Sequence, residues 1–126
     1  MPQQAKTRKK LNARQAIQAL KPIKVLILDV DGVLTDGSIF YMEGTGWGAH
    51  YSVLDGFGLS LLIRNGIEVC FISGSTFASH RKRAEQLGIR HAYFGDENKL
   101  HAYETIRREL GVSPEECAYM GDELFD

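Results

Sequence analysis

Apolar residues in this chain fall into short dense runs separated by amphipathic stretches, and that change of period is the main signal for secondary structure. Ile23 to Val30 is a near-continuous β-branched and aliphatic run closed by Asp31-Gly32, which predicts a strand buried on both faces of a parallel sheet. Ile67–Ile72 predicts a second buried strand, Ile89–Phe94 a short third and Cys117–Met120 a last one. Between them the helical period takes over. Leu59, Leu61, Leu62 and Ile63, following Asp55-Gly56, predict a helix stopped at Asn65-Gly66. Ser79–Leu87 and Lys99–Leu110 predict two more, closed by Gly88 and Gly111. Ser113-Pro114-Glu115-Glu116 has capping-box spacing with proline at the first helical position. Ahead of all this, Asn12–Leu20 predicts a short amphipathic helix ended by Pro22, an appendage to the core. Ile39-Phe40-Tyr41 and His50-Tyr51-Ser52-Val53 flank Gly44, Gly46 and Gly48, which predicts a protruding β-hairpin over 38–53 with Trp47 near its tip. Strands alternating with helices imply an α/β fold with a doubly wound parallel sheet.

Composition narrows the function classes. The 126 residues are 44% hydrophobic and 25% charged, the balance of one compact globular domain. Runs such as Val25-Leu26-Ile27-Leu28 are far short of the roughly 20 apolar residues that span a bilayer. The basic N-terminal residues lack the apolar core of a secretory signal, so a cytoplasmic location is expected, with no membrane partner. Lys6 to Lys10 reads as a solvated terminus. A net charge of -1, with basic residues spread and not interleaved with aromatics, argues against nucleic acid. Cys70 and Cys117 sit inside apolar stretches without metal or redox spacing and read as packing residues. His50, His80, His91 and His101 share no metal spacing either, and read as surface or packing residues.

Ligands of an open α/β sheet collect beyond the carboxyl ends of its strands. At those positions this sequence has Asp29 and Asp31, then Ser73-Gly74-Ser75, then Lys99 after a short loop, then Asp122. Carboxylate oxygens suit Mg²⁺, which takes further ligands from water and phosphate, while a lysine and small hydroxyls suit phosphate oxygens. Of two aspartates one residue apart at a strand end, one can attack phosphorus and the other shuttle a proton. Metal and lysine would neutralise charge on the transferring phosphoryl group.

Leu26-Ile27-Leu28-Asp29-Val30-Asp31-Gly32-Val33-Leu34-Thr35 resembles the first motif of the haloacid dehalogenase superfamily of phosphatases, with Ser73, Lys99 and Gly121-Asp122 in the order of the other three. Thr35-Asp36-Gly37, the hairpin, Val53–Leu59 and Gly95–Lys99 resemble more narrowly the 3-deoxy-D-manno-octulosonate 8-phosphate phosphatase family and its sialic-acid-pathway relatives. The resemblance implies Asp29 as nucleophile and Mg²⁺ ligand, Asp31 as general acid/base binding metal through its backbone carbonyl, and Asp122 as the remaining protein ligand. It also implies a phosphate site at Ser73, Gly74 and Lys99, and substrate contacts at Thr35 and Asp55. A small-molecule sugar phosphate as substrate and a homotetramer joined through the 38–53 hairpin follow from the same resemblance. The family usually has Thr-Gly-Arg where this chain has Ser73-Gly74-Ser75, and a second aspartate where it has Glu123, while Asp126 matches the motif's end. Relatives continue into a further strand and closing helix, so the phosphatase domain, read as 23–126 after a 1–22 extension, is expected to be C-terminally incomplete.

Two other classes fit parts of the pattern. A non-catalytic oligomerisation domain of a sialic-acid-pathway protein would share the fold, but its aspartates are normally eroded, whereas Asp29, Asp31, Lys99 and Asp122 are all present here. A phosphate-accepting receiver domain also has acidic strand ends and a lysine, but Asp31-Gly32 followed by a hairpin does not suit one.

Overall fold

The computed structural model describes residues 10–96 and 98–122. Helix α1 (Ala13–Leu20) precedes strand β1 (Val25–Leu28), and a two-stranded hairpin follows, made of β2 (Phe40–Met42) and β3 (Gly46–Gly48). Then come α2 (Val53–Arg64), β4 (Glu68–Ser73), α3 (Ala78–Leu87), β5 (His91–Phe94), α4 (Lys99–Leu110), a 3₁₀ turn (Pro114–Glu116) and β6 (Cys117–Met120). The main sheet has the order β5-β4-β1-β6, all parallel, with β1 between β4 and β6. This is the doubly wound parallel sheet the sequence predicts.

The period-two alternation of the strands divides the core into two layers. Leu28, Val30, Val69 and Phe71 pack on one face with Leu59 of α2 and Ala84 of α3. Val25, Ile27, Cys70 and Ile72 pack on the other with Ala102 and Ile106 of α4. Because both faces are covered, β1 and β4 are almost wholly apolar, unlike a strand with one wet face. Among the described residues none of α1 is buried. Its Asn12 forms the capping box with Gln15 that starts the helix.

The hairpin differs from the sequence reading. Its second strand is Gly46–Gly48, paired Phe40↔Gly48, Tyr41↔Trp47 and Met42↔Gly46, and not His50–Val53. Residues 50–52 instead lead into α2, which starts at Val53, ahead of the predicted start after Asp55-Gly56, because Ser52 Oγ accepts the Asp55 N–H and caps the helix. Trp47 therefore lies within β3, edge-to-face with Tyr41, and not at the tip, which is the Glu43–Thr45 turn. At Gly48 a Cβ would lie 2.9 Å from the tip of the Phe40 ring, so a side chain there would have to displace the ring.

Both cysteines are unpaired, with Cys70 fully buried and Cys117 partly so. Burial pushes the Cys70 thiol up to about 12, with the Glu68 carboxylate adding to the effect. Its folded value lies above its ordinary 9.0, so the neutral thiol's stabilising contribution is complete below that value and is lost as pH rises toward about 12. Native protein at pH 8 is expected to leave Cys70 unalkylated by iodoacetamide, with labelling only after denaturation, as read by peptide mass spectrometry. Rapid native labelling would contradict the packing seen here.

Candidate active site

The site is a consequence of strand register. Leu28 lies opposite Phe71 on one side and Met120 on the other, so Asp29 and Asp31 leave β1 beside the ends of β4 and β6. Ser73 ends β4 and pairs with Phe94 of β5, and Lys99 opens α4 after the Gly95–Asn98 segment. Four separate stretches of sequence thus meet at one sheet edge, as strand-end chemistry requires.

Asp29 is 2% exposed. Its backbone N–H donates to Met120 O, and its Oδ1 accepts the Val30 N–H at 2.8 Å and lies 3.5 Å from Lys99 Nζ. Lys99 is itself buried, so the ammonium and carboxylate meet in a region where charge interactions are strong. Asn98 caps α4 by accepting the His101 N–H, which places Lys99 in the first turn, where a cation is disfavoured by the helix dipole. The Asp29 carboxylate offsets that cost.

Asp31 is partly exposed and faces outward. With Gly37, Ile39 and the Gly74–Phe77 loop it lines an open cavity of about 380 Å³. Ser73 is buried, and its Oγ accepts the Ser75 N–H, which folds this loop back across the end of β4. Ser75 in turn accepts the Phe77 N–H and leads the chain into α3. Gly74 is exposed at the cavity wall.

Asp122 is placed by a glycine. Gly32 has φ +79, and a Cβ built there would lie 1.7 Å from Asp122 Oδ2, so the carboxylate rests in space that only glycine leaves open. Thr35 closes the same turn by accepting the Gly32 and Gly37 N–H groups. Thr35 and Asp55 line a second recess of about 380 Å³ with His50, Tyr51 and Ser52, distinct from the cavity at Asp31. The positions of Glu123 and Asp126 lie outside the described residues.

The donors suit a hard divalent cation, since Asp29, Asp122 and the Asp31 carbonyl offer only oxygen. Among the described residues no three His, Cys, Asp or Glu side chains converge as a metal cage. The Asp31 carboxylate meets His80, and the resemblance implies the Asp31 backbone carbonyl as its metal donor. The cradle over Gly32 and the all-oxygen chemistry fit Mg²⁺ held by two side chains and one carbonyl.

His80 is the residue that sequence reasoning missed. It is a packing residue in being fully buried, but its Nε2 lies 3.1 and 3.2 Å from the two Asp31 oxygens and its Nδ1 2.5 Å from Tyr51 Oη. No local spacing could reveal contacts spanning 49 and 29 residues. The available signal was its place in the first turn of the helix that follows a strand-end loop.

No family model matches the chain. The 3-deoxy-D-manno-octulosonate 8-phosphate phosphatase KdsC of Escherichia coli K12 is 43% identical over 105 residues, covering 82% of this chain and 55% of that protein. The phosphatase of the same name from Moraxella catarrhalis, solved with magnesium ion, phosphate ion and a KDO molecule, superposes with TM-score 0.86 at 37% identity, over 91% of this chain and 66% of that one. The cobalt-bound Haemophilus influenzae phosphatase gives TM-score 0.81 at 37% identity, over 86% and 64%. The chain belongs to the haloacid dehalogenase superfamily. It spans just over half the length of the E. coli relative, at 55%. Among its described residues no helix is long and apolar enough to cross a membrane. Structural neighbours in this superfamily carry divalent cations, magnesium in one and cobalt in another.

Proposed function

We propose that the protein is a Mg²⁺-dependent phosphomonoester hydrolase that acts through an aspartyl-phosphate on a 2-keto sugar acid phosphate such as 3-deoxy-D-manno-octulosonate 8-phosphate. The observation that carries this reading is the buried Asp29 carboxylate, with the Lys99 ammonium 3.5 Å from its Oδ1, beside Asp31 at an open cavity. A carboxylate so placed attacks phosphorus while the ester P–O bond breaks, and Asp31 gives its proton to the departing alkoxide. In the second step a water loses a proton to Asp31 and attacks the same phosphorus, which frees Asp29 and inorganic phosphate. Lys99 balances the phosphoryl charge, and the Ser73–Phe77 loop offers hydroxyl and backbone N–H groups to its oxygens. Mg²⁺ held by Asp29, Asp122 and the Asp31 carbonyl would supply additional charge neutralisation. Support for the substrate comes from the names of the relatives.

The test is phosphate release by purified protein with Mg²⁺ across a panel of sugar phosphates. The expected result is turnover that EDTA abolishes and that is fastest with eight- or nine-carbon 2-keto acid phosphates. Absence of release from every phosphomonoester would refute the reading. Gly32→Ala is a second probe, because its Cβ would displace Asp122. We expect about 1 kcal/mol of backbone strain, at least roughly a tenfold loss of rate and a raised Mg²⁺ requirement. Wild-type Mg²⁺ dependence in that variant would remove Asp122 from the ligand set.

The proposed assembly is a homotetramer joined through the hairpin. Tyr41, Met42 and Trp47 of the hairpin are more than half exposed, as are Val53, Leu54 and Phe57 at the start of α2, an apolar surface of the kind that other subunits cover. Light scattering should give a multiple of the 14.1 kDa chain mass, and a monomer would exclude this assembly. The cytoplasm is the proposed compartment, since both cysteines are free thiols.

A further inference from the structure

We propose that His80, oriented by Tyr51, is a positioning residue that holds the Asp31 carboxylate for proton transfer, a role that rests on the phosphatase reading above. Asp31 immediately precedes the positive-φ Gly32 and is partly open to solvent, so its backbone alone does not choose a side-chain direction. Among the described residues His80 is the side chain that bonds its carboxylate, with Nε2 3.1 Å from Oδ1 and 3.2 Å from Oδ2. The near-equal distances place the ring N–H across the carboxylate, and either oxygen can face the cavity.

Both ring nitrogens of His80 are engaged, Nε2 by the Asp31 carboxylate, which when ionised only accepts. Nδ1 lies 2.5 Å from Tyr51 Oη, which in turn donates to Ser79 Oγ at 3.2 Å. Ser79, Tyr51, His80 and Asp31 form a continuous hydrogen-bonded chain that ends on the carboxylate. The imidazole cannot swing away, because it is fully buried with Phe77 and Phe94 as ring neighbours at 5.2 and 6.5 Å. A histidine with a purely structural role would be satisfied by any nearby carbonyl. This one reaches across from α3 to the carboxylate that lines the cavity, without lining it itself.

The test pairs spectroscopy with kinetics on His80→Leu, His80→Gln and Tyr51→Phe. Long-range ¹H–¹⁵N spectra of the free wild-type protein should show His80 protonated at Nε2, with a resonance that moves on Asp31→Ala. With an alkyl phosphate, kcat of His80→Leu should fall about 10- to 100-fold while KM stays within about twofold. A p-nitrophenyl ester, whose leaving group needs little protonation, should lose much less. Glutamine can place its amide N–H near the Nε2 position, so His80→Gln should recover most of the rate, and Tyr51→Phe should fall between the two. The proposal is overturned by an Nε2 that carries no hydrogen, by a His80 signal indifferent to Asp31→Ala, or by equal losses with both esters in all three variants. A wild-type protein inactive on every ester would refute the phosphatase reading, while the tautomer and its response to Asp31→Ala would still decide the contact.

Discussion

Asp29→Asn should lower phosphate release by at least about 10³-fold, because the amide cannot form the acyl phosphate through which turnover is proposed to run. The substitution keeps the side-chain shape, and the Val30 N–H can still donate to the amide oxygen at the Oδ1 position. Circular dichroism should therefore stay close to wild type while rates collapse, and the urea midpoint should fall because the Lys99 ammonium is left buried without the carboxylate charge. Trapping adds a second measurement, since wild-type protein quenched in acid during turnover should carry one labile phosphate on the peptide containing Asp29, and the variant none. A variant that keeps a tenth of the rate would eliminate Asp29 as nucleophile.

The second large effect is expected at Lys99, where function and stability are joined. Lys99→Met removes the ammonium 3.5 Å from Asp29 Oδ1 and leaves the carboxylate 2% exposed. Breaking one side of a buried ion pair costs roughly 3–5 kcal/mol, because the remaining charge keeps its desolvation penalty. Urea unfolding should show a loss of that order, and phosphate release should fall by about 10²-fold or more as the charge opposite the phosphoryl group disappears. Asp29→Asn combined with Lys99→Met should recover much of the lost stability, since neither partner is then charged, but no activity. Equal stability of Lys99→Met and wild type would mean that the pair contributes no net interaction.

Most of the layered architecture was legible because it depends on local signals. The apolar run Val25–Leu28 has no wet face to create alternation, and Gly88 and Gly111 sit at the left-handed ends of their helices. The hairpin was legible only in outline. Its second strand was expected at His50–Val53 on β propensity, whereas the Ser52 cap on α2 claims that segment for a helix start and the glycine-flanked Trp47 pairs with Tyr41 instead. Propensity lost there to capping and to register, which are decided by partners and not by composition.

At the site, the residue types and their order in sequence were enough to single out Asp29, Asp31, Ser73, Lys99 and Asp122, since a parallel α/β sheet brings its strand ends to one edge whatever the loops do. How differently the two aspartates are placed was decided only by the folded chain. Asp29 is buried against Lys99 while Asp31 opens onto the cavity, a difference made by the turn at Gly32 and invisible in a triplet of Asp-Val-Asp. The sequence likewise contains His80 and Tyr51 without any mark of their use. Their meeting with Asp31 depends on how α3 and the segment before α2 pack against the end of β1, and such long-range placement leaves no periodic trace along the chain.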